Sequence, residues 1–174
     1  MFNQLKDSDR KFLGLAHTVS TWSKCATRHI GAVIVVNNIP VSSGYNGTVI
    51  GGMNCNEGGC PRCERRVQGL LQSGDDIASC LCAHAETNAI AFAARHGISV
   101  QGGIMYCWCG VPCASCSKVI VNAGISKVVC LFREQDYDPY GVEILKAGRV
   151  EILKFEERPE NYWKEAELGV IRIE

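Results

Sequence analysis

Two stretches decide the architecture: Ala83-His84-Ala85-Glu86-Thr87-Asn88-Ala89-Ile90 and Pro112-Cys113-Ala114-Ser115-Cys116. They supply three metal-ligand side chains, His84, Cys113 and Cys116, and a carboxylate, Glu86, two positions after the histidine. A structural zinc site closes with four protein ligands, whereas a catalytic one keeps a vertex for water. Three ligands and a neighbouring acid fit the open kind. Each stretch also opens a helix. His84 to His96 is alanine-rich and stops at Gly97, and Cys113 to Ala123 stops at Gly124, glycine being the residue that tolerates the left-handed turn after a helix. Pro112 fits ahead of a first turn. Cys113 and Cys116 stand at i and i+3, which puts both sulfurs on one helical face.

Outward from this centre, Asp7 to Ser20 reads as a helix with Phe12, Leu13, Leu15, Ala16 and Val19 on one stripe. Gly31 to Val36 is a β-branched run suited to a buried strand. Asn37-Asn38 turns into a second strand, Val41 to Tyr45. Strands at Gly103 to Cys107, Lys127 to Phe132 and Val150 to Phe155 alternate with helices at Cys113 to Ala123 and Tyr140 to Ala147. That order predicts parallel neighbours and helices on both sheet faces, an α/β fold. A short helix over Asn161 to Leu168 is expected to follow. Gly47 to Leu81 has the composition of a loop, with Gly51-Gly52, Gly58-Gly59, Pro61 and scattered cysteines.

The chain has 174 residues, enough for one domain, and 47% of them are hydrophobic, ordinary for a globular protein. With 18 basic and 18 acidic residues the net charge is +0. A protein that grips polymeric nucleic acid usually carries a basic surplus, so a small substrate is favoured. Met1 to Arg10 lacks an apolar signal core, and no run is apolar enough to cross a membrane. The 11 cysteines are therefore read as metal ligands rather than disulfide partners, in a cytoplasmic protein without membrane attachment.

His-x-Glu followed by Pro-Cys-x-x-Cys is the signature of zinc-dependent nucleobase deaminases. In that chemistry Glu86 takes a proton from water, delivers it to N3 of a cytosine as C4 is attacked, and later protonates the departing amine. The chain resembles the deoxycytidylate (dCMP) deaminase family of the cytidine deaminase superfamily. The resemblance runs from about Leu15 to Phe155, through Ser23-Lys24-Cys25, Gly44-Tyr45-Asn46-Gly47, Asn54-Cys55-Asn56-Glu57-Gly58-Gly59-Cys60-Pro61-Arg62-Cys63 and Cys80-Leu81-Cys82-Ala83-His84. It implies one three-layer α/β/α domain around a mixed five-stranded sheet, with a cysteine-rich insertion at about 47–82. It also implies hydrolysis of dCMP to dUMP feeding thymidylate synthesis, and a homohexamer. Activation by dCTP and inhibition by dTTP are implied too, with magnesium accompanying the effector triphosphate.

Residue by residue, the resemblance assigns Asn46 to the sugar-phosphate, the Ala85 backbone amide to the base and Arg95 to effector response. It implies a second, structural zinc on Cys25, Cys55 and Cys82. The fourth ligand comes from the insertion, Cys63 first, with Cys60 and Cys80 the other choices. Trp108 is placed either in the base pocket or in the core. Leu131-Phe132-Arg133-Glu134 lacks the tyrosine that several relatives place there, leaving Tyr137 or Tyr140 to stack on the base. Deamination of dCTP, of a polynucleotide, or metal binding without turnover are the competing readings.

Overall fold

The computed structural model describes residues 7–72, 74–134 and 138–155. Helix α1 (Asp7–Ser20) precedes a hairpin of β1 (Gly31–Val36) and β2 (Ile39–Tyr45). Asn37 and Asn38 both have left-handed φ, 51° and 63°, the two-residue turn whose twist matches a hairpin. β2 begins earlier than Val41 and includes Pro40. A proline is tolerated there because β2 lies at the edge of the sheet.

β5 (Ile104–Cys107), β6 (Lys127–Leu131) and β7 (Glu151–Phe155) complete a five-stranded sheet in the order β2-β1-β5-β6-β7. β1 pairs antiparallel with β2 and β5, whereas β5–β6 and β6–β7 are parallel. The sheet is mixed, and the parallel half is the one that alternates with helices. Along the strands, successive side chains face opposite ways. Val33, Val35, Tyr106 and Val129 pack against Leu13, Ala16 and Val19 of α1. Ala32, Ile34, Met105, Cys107, Val128 and Cys130 pack against α3 (Ala85–Arg95), α4 (Ala114–Asn122) and α5 (Pro139–Ala147). Among the described residues three layers result: α1, the sheet, and α3 to α5. Tyr106 also donates its hydroxyl to Asp9 Oδ1 at 2.6 Å, pinning α1 to the middle of the sheet.

The insertion is not the featureless loop its composition predicts. It holds a helix, α2 (Pro61–Val67), and single turns at Cys55–Glu57 and Ile77–Ser79. It is closed by two short strands, β3 (Gly47–Thr48) and β4 (Cys82–Ala83), paired Gly47↔Ala83 and Thr48↔Cys82. The expected helix at Asn161 to Leu168 lies outside the described residues.

Candidate active site and metal centres

His84 and Cys113 are not the first residues inside their helices; each is the N-cap, with extended backbone (ψ 153° and 167°). An N-cap side chain usually turns back to bond the helix amides, which is why Ser, Thr, Asp and Asn dominate there. Neither His84 nor Cys113 does so. The duty on α4 falls to Asp138, whose Oδ2 accepts from the Ala114 amide at 2.8 Å while its other oxygen caps α5 through the Tyr140 amide. Both ligand side chains are thereby released to point at each other. Cys116 is the third residue of α4. The N-cap and third positions face one another at a helix start, and this replaces the shared-face argument as the reason the two sulfurs converge.

His84 Nδ1 lies 3.3 Å from Cys116 Sγ and 3.4 Å from Cys113 Sγ. All three ligand atoms fall within 4.8 Å of one another. Ligands at tetrahedral zinc distances, roughly 2.05 Å for nitrogen and 2.3 Å for sulfur, stand about 3.5 Å apart. The donor set and its spacing therefore fit zinc. Hydrogen bonding from Cys116 draws the Cys113 thiol down to about 4, a thiolate ready to ligate. Contact with the Cys113 sulfur raises the His84 imidazole to about 9.

Glu86 sits in the first turn of α3 and is buried. Burial pushes its carboxyl above the ordinary range, against the opposing pull of His84. A carboxyl raised in this way is a stronger proton acceptor than an ordinary carboxylate, which suits acid–base work. Cys109, which the sequence did not single out, lies 4.0 Å from Glu86 Oε1. Strand alternation could have found it: Cys107 and Cys109 belong to the α3–α4 side, and Tyr106 and Trp108 to the other. Trp108 accordingly stacks on His17 of α1, ring centroids 4.5 Å apart. Of the two placements open to Trp108, these contacts support the core one, its ring lying on the opposite face of the sheet from Glu86.

The remaining positions divide. Ala85 is the first residue of α3, where a backbone N–H has no partner within its own helix. Asn46 is buried, its Oδ1 accepting from the Ile30 amide at 2.8 Å and its Nδ2 donating to the Arg28 carbonyl at 2.9 Å. It braces the 28–30 segment. Arg95 ends α3 on the surface, about 16.5 Å along the axis from His84 at 1.5 Å per residue. Tyr140 is exposed on α5, and Tyr137 lies outside the described residues.

Glycines set how closely α3 and α4 approach this centre. A Cβ on Gly44 of β2 would strike the Ala85 carbonyl and the Ala89 amide, and one on Gly141 of α5 would strike the Pro112 carbonyl. Cys25, from the segment between α1 and β1, joins Cys55, Cys63 and Cys82 of the insertion to bring four sulfurs within 4.8 Å of one another, a set fitting a closed zinc site.

A family model described as the cytidine and deoxycytidylate deaminase zinc-binding region matches residues 6–132. The chain belongs to the cytidine and deoxycytidylate deaminase family. Within that deaminase family it is 32% identical over 172 residues to deoxycytidylate deaminase of Enterobacteria phage T2, covering 80% of this chain and 88% of that one. It is 37% identical over 148 residues to deoxycytidylate deaminase of Schizosaccharomyces pombe, spanning 84% of this chain but only 44% of the yeast protein. The dCMP deaminase of cyanophage S-TIM5, solved with dCMP and dUMP, superposes with a TM-score of 0.66 at 29% identity, covering 87% of this chain and 100% of that one. The fold expected of the deaminase family, three layers on a mixed five-stranded sheet, is the fold observed.

Proposed function

We propose that this chain hydrolyses dCMP to dUMP and ammonia, supplying the deoxyuridylate that thymidylate synthesis consumes. The observation that carries this reading is a buried Glu86, two residues after His84, beside three convergent metal-ligand side chains. The phage and yeast relatives support dCMP as the substrate. His84, Cys113 and Cys116 would hold the catalytic zinc, and Cys25, Cys55, Cys63 and Cys82 a structural one.

When bound, the catalytic zinc supplies Lewis acidity toward the water that attacks C4 of the cytosine. Glu86 receives the proton that water gives up and hands it to N3 of the ring. It then takes the remaining hydroxyl proton and passes it to the 4-amino nitrogen, so ammonia leaves as the C4 carbonyl forms. One water is consumed and the carboxylate returns to its starting state. The Ala85 amide orients the base from the start of α3. Asn46 acts on the nucleotide through the 28–30 segment that it braces. Further from the centre, the proposal includes a cytoplasmic homohexamer activated by dCTP with magnesium and inhibited by dTTP, with Arg95 in the effector response.

The test is to offer dCMP, dCTP, CMP and cytidine separately, with and without dCTP or dTTP, and follow ultraviolet absorbance and ammonia. Turnover of dCMP is expected to vanish in Glu86→Gln while zinc content stays unchanged. Turnover of cytidine with none of dCMP would overturn the substrate assignment.

A further inference from the structure

Six sulfurs, not four, meet at the insertion. Beside the tetrad Cys25, Cys55, Cys63 and Cys82 stands a second, Cys60, Cys63, Cys80 and Cys82, again with all sulfurs within 4.8 Å of one another. Cys63 and Cys82 belong to both. Two tetrads with two members in common are two tetrahedra sharing an edge, the arrangement in which two of six thiolates bridge a pair of divalent ions. Cys25–Cys63 in the first and Cys60–Cys80 in the second are both 3.9 Å apart. The edge of a zinc–thiolate tetrahedron is about 3.8 Å for bonds of roughly 2.3 Å, whereas a disulfide needs about 2.05 Å.

Among the described residues of this segment no other cluster supplies a core. The buried cluster here consists of Cys25, Cys55, Cys60 and Cys63, flanked by Cys80 and Cys82, without one aliphatic or aromatic member. Val49, Ile50, Met53, Val67, Leu70, Ile77 and Leu81 are all exposed. Polar links join α2 to the turn after it, Arg62 Nε donating to the Asp75 carbonyl at 2.8 Å and Arg65 pairing with Asp76 at 3.0 Å, but sulfurs form the buried centre of the segment. Donors already address them: the Ala26 amide reaches Cys55 Sγ at 3.4 Å, and Thr27 Oγ1 lies 3.5 Å from Cys25 Sγ and 3.8 Å from Cys63 Sγ. Hydrogen bonds of this kind orient and tune metal thiolates. Arg62 is buried in α2, and the Nε of Arg66 is buried without an acceptor among the described residues. These cations suit an anionic cluster. A second ion also enters at constant charge, since its two positive charges replace the two protons of Cys60 and Cys80.

We propose that the insertion is organised by a binuclear zinc–thiolate cluster in which Cys63 and Cys82 bridge, Cys25 and Cys55 complete one ion, and Cys60 and Cys80 complete the other. This rests on reading the insertion as a zinc site, not on the identity of the substrate. Because Cys82 is two residues before His84, the cluster also fixes the segment that presents the catalytic histidine.

The test is native mass spectrometry of the full chain, purified under reducing conditions, with alkylation of accessible thiols. The expected result is three zinc ions per chain, with all six cysteines of the cluster resisting alkylation. Cys60→Ser combined with Cys80→Ser should lower the count by one. Cadmium-113 substitution of the unmutated chain, which needs no variant to fold, should give two thiolate-type resonances coupled to each other through the bridging sulfurs. Two zinc ions with Cys60 and Cys80 alkylated would overturn the binuclear cluster and leave a single structural zinc standing. One zinc with all six cysteines alkylated would overturn both. Three zinc ions unaffected by the double substitution, or uncoupled cadmium resonances, would overturn the shared-ligand assignment.

Discussion

Gly44→Ala tests whether the spacing between β2 and α3 is what aims Glu86 and His84. The added methyl has no vacant direction: it meets the Ala85 carbonyl and the Ala89 amide, both backbone atoms of α3, so no side chain can rotate out of its way. The helix itself must retreat. Overpacking of this kind costs about 2 kcal/mol, which for a chain of this size lowers the melting temperature by about 4–8 °C. The retreat occurs at the N-terminal turn that carries Glu86, and a displacement of about 1 Å in a catalytic group can cost on the order of 100-fold in rate. Steady-state deamination of dCMP and a thermal melt on the same preparation measure both effects. Gly47→Ala serves as the stability control, since a Cβ there meets nothing within 4 Å, and its melting temperature should match the unmutated chain. Wild-type rate and stability in Gly44→Ala, or an equal loss of stability in Gly47→Ala, would refute the close-approach argument.

Tyr106→Phe should destabilise the fold by about 2 kcal/mol, because a hydrogen bond to a buried carboxylate is lost, and chemical denaturation would register it. Burial and the bond to Asp9 raise the Tyr106 phenol above its ordinary 10.0. That contribution is complete below pH 10.0 and is lost as pH rises toward the folded-state value, so alkaline unfolding should be steeper in the unmutated chain than in Tyr106→Phe. Asp138→Ala strips the caps from α4 and α5 together and should cost about 1–2 kcal/mol, with faster loss of zinc to a chelator, while Asp138→Asn retains most of both. Trp108→Phe should lower the melting temperature and leave the KM for dCMP unchanged, as its ring packs on His17; a large rise in KM would return it to the pocket.

The sheet and the helices around it were readable because periodicity and punctuation agreed. Asp7–Ser20 and Gly31–Val36 have the boundaries the apolar pattern predicts, and the asparagine pair turns where two asparagines can. The convergence of His84, Cys113 and Cys116 was readable from residue types and order, since few other chemistries need them together. What escaped was structure that depends on contacts distant in sequence. Pro61–Val67 has no apolar stripe, so its helix is invisible to periodicity; it is held through Cys63 and the buried Arg62. The capping of α4 by Asp138 joins residues 24 positions apart. The sides of the sheet taken by Trp108 and Cys109 follow from the alternation of β5 carried past its last residue, which periodicity within the strand alone does not reach.

The pairing of Gly47 with Ala83 gives the insertion ends that touch. Between those two residues the segment touches the rest of the protein again at the 24–27 loop, where the Asn56 amide donates to the Lys24 carbonyl at 3.0 Å and the Ala26 amide reaches Cys55 Sγ at 3.4 Å. Loop-closure entropy grows only with the logarithm of length, at about 0.6 kcal/mol per doubling. Lengthening or grafting at the exposed Gly51–Gly52 turn, which carries none of the six sulfurs, therefore leaves the strand that feeds α3 where it is, and that turn is a natural port for building new recognition onto an unchanged frame.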